Sequence, residues 1–250
     1  MSVGIVGTPH INGSSGNSTT AKTGDAGAKP AGSNLLCHVG VFRPYCNDVT
    51  AFLPSTMTLG GQTLSRQLVF DSAANIGAAY YKSTRAQASA ISGGSYTITY
   101  GSTLAAAYQT LVIVVWTADS AETLQDSEIS PDLFSPDRSL TTVSGNLCLI
   151  FGGERGDQSG LTLGSGMTDG STNYTGGSGL GDTNGRMDSR VATTTSTALE
   201  VGSDASELTA TFAIAITEDV GGGGGGSSNS DDTAATQRGV LRGHLRGMAA

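Results

Sequence analysis

The sequence predicts an all-β protein: a two-layer antiparallel β-sandwich, jelly-roll-like or immunoglobulin-like, followed by a flexible glycine linker and a short C-terminal peptide. Three observations predict it. Short apolar runs recur along the chain between Gly, Pro, Asn and Asp clusters, and no long helical period precedes residue 221. Two segments alternate cleanly between apolar and polar residues, as half-buried strands do. Glycine is abundant, at 37 of 250 residues, and charged residues make up only 14%, well under the usual ~25%. A surface of hydroxyls, glycines and amides suits a sheet protein with many turns. No repeat of the length a trefoil or propeller requires is present.

Residues 1–33 are polar and Gly/Ser-rich, with Pro9 and Pro30. They read as an arm or irregular edge in which only "VGIV" makes a short strand. The body is expected from residue 34 to 220. "LLCHVGVF" (35–42) is a continuous apolar run and reads as a strand buried on both faces. "VTAFL" (49–53) follows, then "QTLSRQLVF" (62–70), with Leu64, Leu68 and Phe70 on alternate positions, and "AAYYK" (78–82). "SYTITYG" (95–101) places Tyr96, Ile98 and Tyr100 on one face. "QTLVIVVWT" (109–117) is β-branched and ends in an aromatic, and is the strongest strand. Residues 118–139 are acidic and broken by proline, so they read as a loop with one helical turn after Ser120. "NLCLIFGG" (146–153) is another buried strand. Residues 152–187 are glycine-rich and read mostly as loop, "RVATTTST" and "ALEVG" as a hairpin, and "ELTATFAIAIT" (207–217) as the final strand.

Composition excludes several functions. A net charge of −8, from 21 acidic and 13 basic residues, is a poor footprint for duplex nucleic acid. Lysine occurs only at positions 22, 29 and 82. The longest apolar run is too short for a bilayer-spanning helix, and the N-terminus lacks the basic-then-apolar pattern of a secretion signal. Cys37, Cys46 and Cys148 cannot all pair within one chain; with Cys37 and Cys148 inside apolar runs, all three read as reduced thiols of a protein made in a cytoplasm.

Residues 221–232 form a Gly/Ser linker, and 233–250 a C-terminal peptide with a four-residue Arg-Gly step. As a helix it aligns Arg238, Arg242 and Arg246 on one stripe, and Leu241 and Leu245 beside Val240 and Met248 on another. Its glycines disfavour a free helix by ~1 kcal/mol each, so it reads as a docking peptide that orders on a partner, with Arg238, Val240, Leu241, Arg242, Leu245, Arg246 and Met248 as contacts.

No catalytic motif emerges. The glycine runs lack the Lys-Ser/Thr of a phosphate loop. His10 lies in the arm and His244 in the tail; His38 lies in a buried strand and reads as a hydrogen-bonded structural residue. Asp119, Glu122, Asp126, Glu128, Asp132 and Asp137 read as a solvated acidic loop rather than a glycosidase pair. Asp182, Asn184 and Asp188 fit turn chemistry better than a calcium loop, which needs more oxygens and a terminal Glu. Two glycosylation triplets, at 17 and 173, carry little weight without a secretion signal. No metal or cofactor is expected. The tyrosines and Trp116 offer a possible sugar-binding face, with Tyr174 in the glycine-rich region as the glycan contact.

The order "KPAGSNLLCHVGVF", "GGQTLSRQLVFDS", "AAYYKS", "GGSYTITYGSTLAAAYQTLVIVVWTA", "TTVSGNLCLIFGGE" and "LTATFAIAIT" resembles a β-sandwich module of phage and prophage virion proteins, over roughly residues 28–217. The resemblance implies a structural or adhesive part of a tail, fibre or head surface, with no catalytic residues to carry over. The expectation is therefore a non-enzymatic minor virion protein. It assembles in the host cytoplasm with other virion proteins, in a symmetric oligomer, without nucleic acid or membrane, and is anchored by its C-terminal peptide. The alternative is a carbohydrate-binding adhesion module on a virion or cell surface.

Overall fold

The computed structural model describes residues 3–14, 19–43, 52–71, 76–104, 110–132, 138–155, 161–174, 183–202 and 208–219. Strands β1 (Gly4–Ile5), β2 (His10–Ser14), β3 (Thr19–Asp25), β4 (Leu35–Arg43), β5 (Thr56–Leu59), β6 (Gln62–Phe70) and β7 (Gly77–Lys82) lead to a short helix, α1 (Arg85–Ala90), the one helix among the described residues. After it come β8 (Ser95–Leu104), β9 (Thr110–Ala118), β10 (Ser120–Asp132), β11 (Arg138–Thr141), β12 (Leu147–Arg155), β13 (Thr162–Leu163) and β14 (Thr168–Tyr174). The last strands are β15 (Thr183–Val191), β16 (Ser196–Leu199), β17 (Val201–Gly202) and β18 (Leu208–Glu218).

The protein is all-β, with antiparallel sheets packed as a sandwich. One sheet has nine strands in the order β1-β9-β4-β7-β6-β5-β8-β3, with β2 also on β9; the other has five, β10-β18-β12-β15-β14. The sandwich core lies between them. Phe42, Tyr80, Leu111, Ile113 and Val115 come from the first sheet, and Leu149, Phe151, Phe212, Ile214 and Ile216 from the second. Phe212 is the hub: its ring stacks on Phe151 at 4.5 Å and Phe42 at 5.8 Å, and tilts against Tyr80 at 5.4 Å.

The nine-stranded sheet also curls on itself into a half-barrel with its own core. Cys37, Val39, Val41, Tyr81, Val112, Val114 and Trp116 meet Met57, Leu64, Tyr96, Ile98 and Tyr100 there, and Ala88 and Ile91 of the α1 segment pack against them. This is why all nine residues of β4 are buried: odd positions face the half-barrel and even positions face the sandwich, since successive strand residues point to opposite faces. A third core covers the far side of the five-stranded sheet. Cys148, Ile150, Ala213 and Ala215 meet Leu140, Leu161, Leu199 and Val201, several of them carried by two-stranded ribbons, β11-β16 and β13-β17. Three glycines mark close crossings of the two sheets: a Cβ at Gly185 would lie 2.0 Å from Leu111, one at Gly153 2.4 Å from Phe42, and one at Gly40 2.9 Å from Phe151.

Most elements read from apolar runs are present, and six expectations differ from the structure. The N-terminal arm contains β2 and β3, which join opposite ends of the large sheet. The "VTAFL" strand is not formed at Phe52 and Leu53, the part of it that is described; the next strand begins at Thr56. The acidic segment is not a loop: β10 pairs along β18, with register shifts at Leu124. Leu124 and Ile129 both pack on the sandwich core, and the bulge brings residues five apart to one face. The glycine-rich region supplies β14 and β15, and the expected hairpin is replaced by long-range pairing of β16 with β11 and β17 with β13. The helical turn lies at Arg85 instead of after Ser120. The sequence Thr84-Arg-Ala-Gln87 forms a capping box there, with Thr84 Oγ1 accepting from Gln87 N–H and Gln87 Oε1 accepting from Thr84 N–H.

Candidate functional site

Most buried polar side chains are committed to internal bonds. His38 is fully buried; one ring nitrogen meets Tyr80 Oη at 2.7 Å and the other Thr117 Oγ1 at 2.9 Å, and Thr117 Oγ1 in turn meets Ser120 Oγ at 2.7 Å. Burial, aided by the Lys82 charge, lowers the imidazole to about 3, so the ring is neutral at pH 7. With no exposed edge it has no route to a substrate. The Cys148 thiol is pushed up to about 11 by burial, and Cys37 is raised further for the same reason; both are buried, unpaired thiols.

Two arginines act as internal clamps. Arg43, wholly buried, donates through Nε and Nη2 to Asp71, whose second oxygen accepts from the Leu53 backbone N–H. Arg186 on β15 donates from Nε to Asp188 at 2.7 Å and from Nη2 to Asp169 at 2.9 Å. Burial raises the Asp188 carboxyl, and its bond and charge contact with Arg186 oppose that. Asp188 therefore sits in a strand, bonded along it, and not in a turn or calcium loop. Asp126 and Glu128 are structural as well: their carboxylates accept from the N–H groups of Thr141 and Ser139 and hold the β11 edge. Glu122 accepts from Arg85 N–H. No group of three or more His, Cys, Asp or Glu side chains converges for a metal among the described residues.

Lys22 is an exception. It lies on edge strand β3 opposite Ile98, is 3% exposed, and its Nζ has no hydrogen-bond partner. Antiparallel partners share a face, so the side chain joins Ile98 on the half-barrel side. Burial lowers its pKa. An inward-pointing charge on an edge strand discourages that edge from pairing with another chain.

The open site is a pocket of about 430 Å³ between α1 and the segment before β4. Lys29 and Arg85 line it, with Ser33, Asn34 and Leu35 on the opposite wall. Lys29 Nζ donates to the carbonyls of Ala88 and Ser89 at 3.1 and 2.9 Å, which fastens the end of α1. Arg85 Nη2 donates to Ser120 O at 2.7 Å and pairs with Asp219 at 2.6 Å. Its Nε is buried without a partner. Asn34 holds a left-handed φ of 55°, an uncommon conformation for a residue other than glycine.

The sequence-level candidates fall differently. Tyr80, Tyr81, Tyr96, Tyr100 and Trp116 are buried core residues and form no sugar-binding face. Tyr174 ends β14, its backbone paired with Gly185. The docking residues Arg238, Val240, Leu241, Arg242, Leu245, Arg246 and Met248 lie outside the described residues, as do Cys46, Asp137, Asp182 and His244. Sequence reading passed over Lys29 and Arg85 as site residues. The signals available for them were the Thr84-x-x-Gln87 capping box and the scarcity of lysine. Comparison of the chain with family models, with curated proteins and with solved structures finds no match.

Proposed function

We propose that this chain is a non-enzymatic minor structural protein of a phage or phage-like virion, a tail, fibre or capsid-surface component. Its sandwich is the body, and its C-terminal Arg/Leu/Gly peptide docks on a neighbouring subunit. The observation that carries this reading is the use made of the body's charged and polar side chains. Arg43–Asp71 and the His38 network spend their bonding capacity inside the fold, and Arg186 bonds Asp188 along its own strand and Asp169 on the next, fastening segments around three apolar cores. That arrangement suits a rigid displayed body. Docking is then assigned to the linker-borne peptide, whose arginines suit carboxylates on a partner. Assembly takes place in the host cytoplasm, consistent with unpaired Cys37 and Cys148.

The test compares the full chain with one ending at Val220, each produced alongside a particle's other components. Reduced particle occupancy of the truncated chain, with unchanged thermal unfolding of the body, is the expected result. Equal occupancy refutes docking through the peptide, and absence of either chain from any particle refutes the virion reading.

A further inference from the structure

The pocket beside α1 has a chemistry that the assembly reading does not use. Its walls carry two cations, Lys29 and Arg85, and no carboxylate. One of them, Arg85, is already paired with Asp219 at 2.6 Å, so the uncompensated charge at the pocket is that of Lys29. The two carboxylates bound to Arg85, on Glu122 and Asp219, do not line the pocket. Lys29 has no carboxylate partner among the described residues. An ammonium has three donors, and two are taken by the Ala88 and Ser89 carbonyls, which leaves one. Arg85 Nε adds a buried donor with no acceptor. Around these charges stand neutral hydrogen-bonding groups, Ser33 and Asn34, and an apolar patch from Leu35 and Ala86.

We propose that this pocket binds a carboxylate-bearing saccharide residue of the hexuronic or sialic acid class. The carboxylate sits against Lys29 and Arg85, and the sugar hydroxyls meet Ser33 and Asn34. Volume favours a sugar over an acidic side chain of a partner: about 430 Å³ falls in the ~300–1,000 Å³ range of small-ligand sites, more room than one Asp or Glu fills. The proposal is independent of how the chain is anchored.

The test uses the full chain, ¹⁵N-labelled, titrated separately with glucuronate, N-acetylneuraminate, glucose and a short poly-glutamate peptide. Saturable shifts with either acidic sugar are expected, with glucose at least about tenfold weaker, the lower end of what a hydrogen bond to a charged group contributes. Two variants separate binding from folding. Lys29→Gln keeps a donor for the α1 carbonyls and removes the charge; Ala86→Glu adds a like charge on an exposed helix position and breaks no internal bond. Both should keep the parent circular dichroism and lose about tenfold or more in affinity. The proposal is overturned by glucose binding as well as the acids, by saturation with the peptide alone, by no saturation with any sugar, or by folded variants that bind like the parent.

Discussion

Replacing Phe212 by alanine tests whether the two sheets form one cooperative unit. The side chain is fully buried and touches three other aromatic rings, at 4.5, 5.4 and 5.8 Å. Deleting a buried Phe costs about 3–5 kcal/mol from lost transfer energy and the cavity left behind. Aromatic contacts beyond area burial contribute about 0.5–1.5 kcal/mol each. The expected loss is therefore at the upper end, near 5 kcal/mol, or a fall of ~10–20 °C in Tm for a chain of this size. Phe212→Leu keeps most of the apolar volume but loses the three ring contacts, so it should cost less than the alanine variant and more than ~1.5 kcal/mol. The assay is urea unfolding followed by far-ultraviolet circular dichroism and by fluorescence of Trp116, the single tryptophan. Trp116 belongs to the half-barrel core, on the opposite face of its sheet from Phe212's contacts. Both signals should shift together. If the alanine variant loses less than ~1.5 kcal/mol, or the Trp116 midpoint stays fixed while the dichroism midpoint falls, the account of a sandwich core that couples both sheets is wrong.

Two further outcomes follow from the buried polar groups. His38 has a folded-state pKa of about 3, below its ordinary value, so the unfolded chain binds the extra proton between those values. Stability is then fully present above about pH 6.5 and falls as pH drops toward about 3, at up to ~1.4 kcal/mol per pH unit; urea midpoints at pH 7 and pH 4.5 should differ, and His38→Gln should flatten the difference. Asp71→Ala removes the carboxylate bound to a wholly buried Arg43, which should cost ~3–5 kcal/mol, whereas Glu200→Ala, at a half-buried loop site, should move Tm by no more than a degree or two; equal effects in thermal melts would refute the clamp.

The elements legible in the sequence were those whose own residues state their burial. β4, β9, β12 and β18 are continuous or alternating apolar runs, and a strand buried on one or both faces has to be written that way. β10 was hidden because its bulge shifts the alternation between Leu124 and Ile129, and because an edge strand carries acids. β15 was hidden because its partners are lateral: Arg186 and Asp188 look like turn residues until the strand brings them together and lays Asp169 alongside. α1 is too short to show a helical period, and only its capping box announces it.

For the candidate site, the sequence by itself determined the ingredients: few lysines, an acidic surplus, an arginine just inside a helix cap, and a Lys-Pro-Ala-Gly segment ahead of the first long strand. It also determined that the body would be a sheet protein, because alternation and β-branching are properties of neighbouring residues. Only the tertiary structure decided that Lys29, 56 residues before Arg85 in the sequence, would share a cavity with it, and that Asp126 and Glu128 would be spent on holding β11. Those outcomes depend on register and on sheet curvature. Both are set by the fit of side chains from distant strands, which no local pattern encodes.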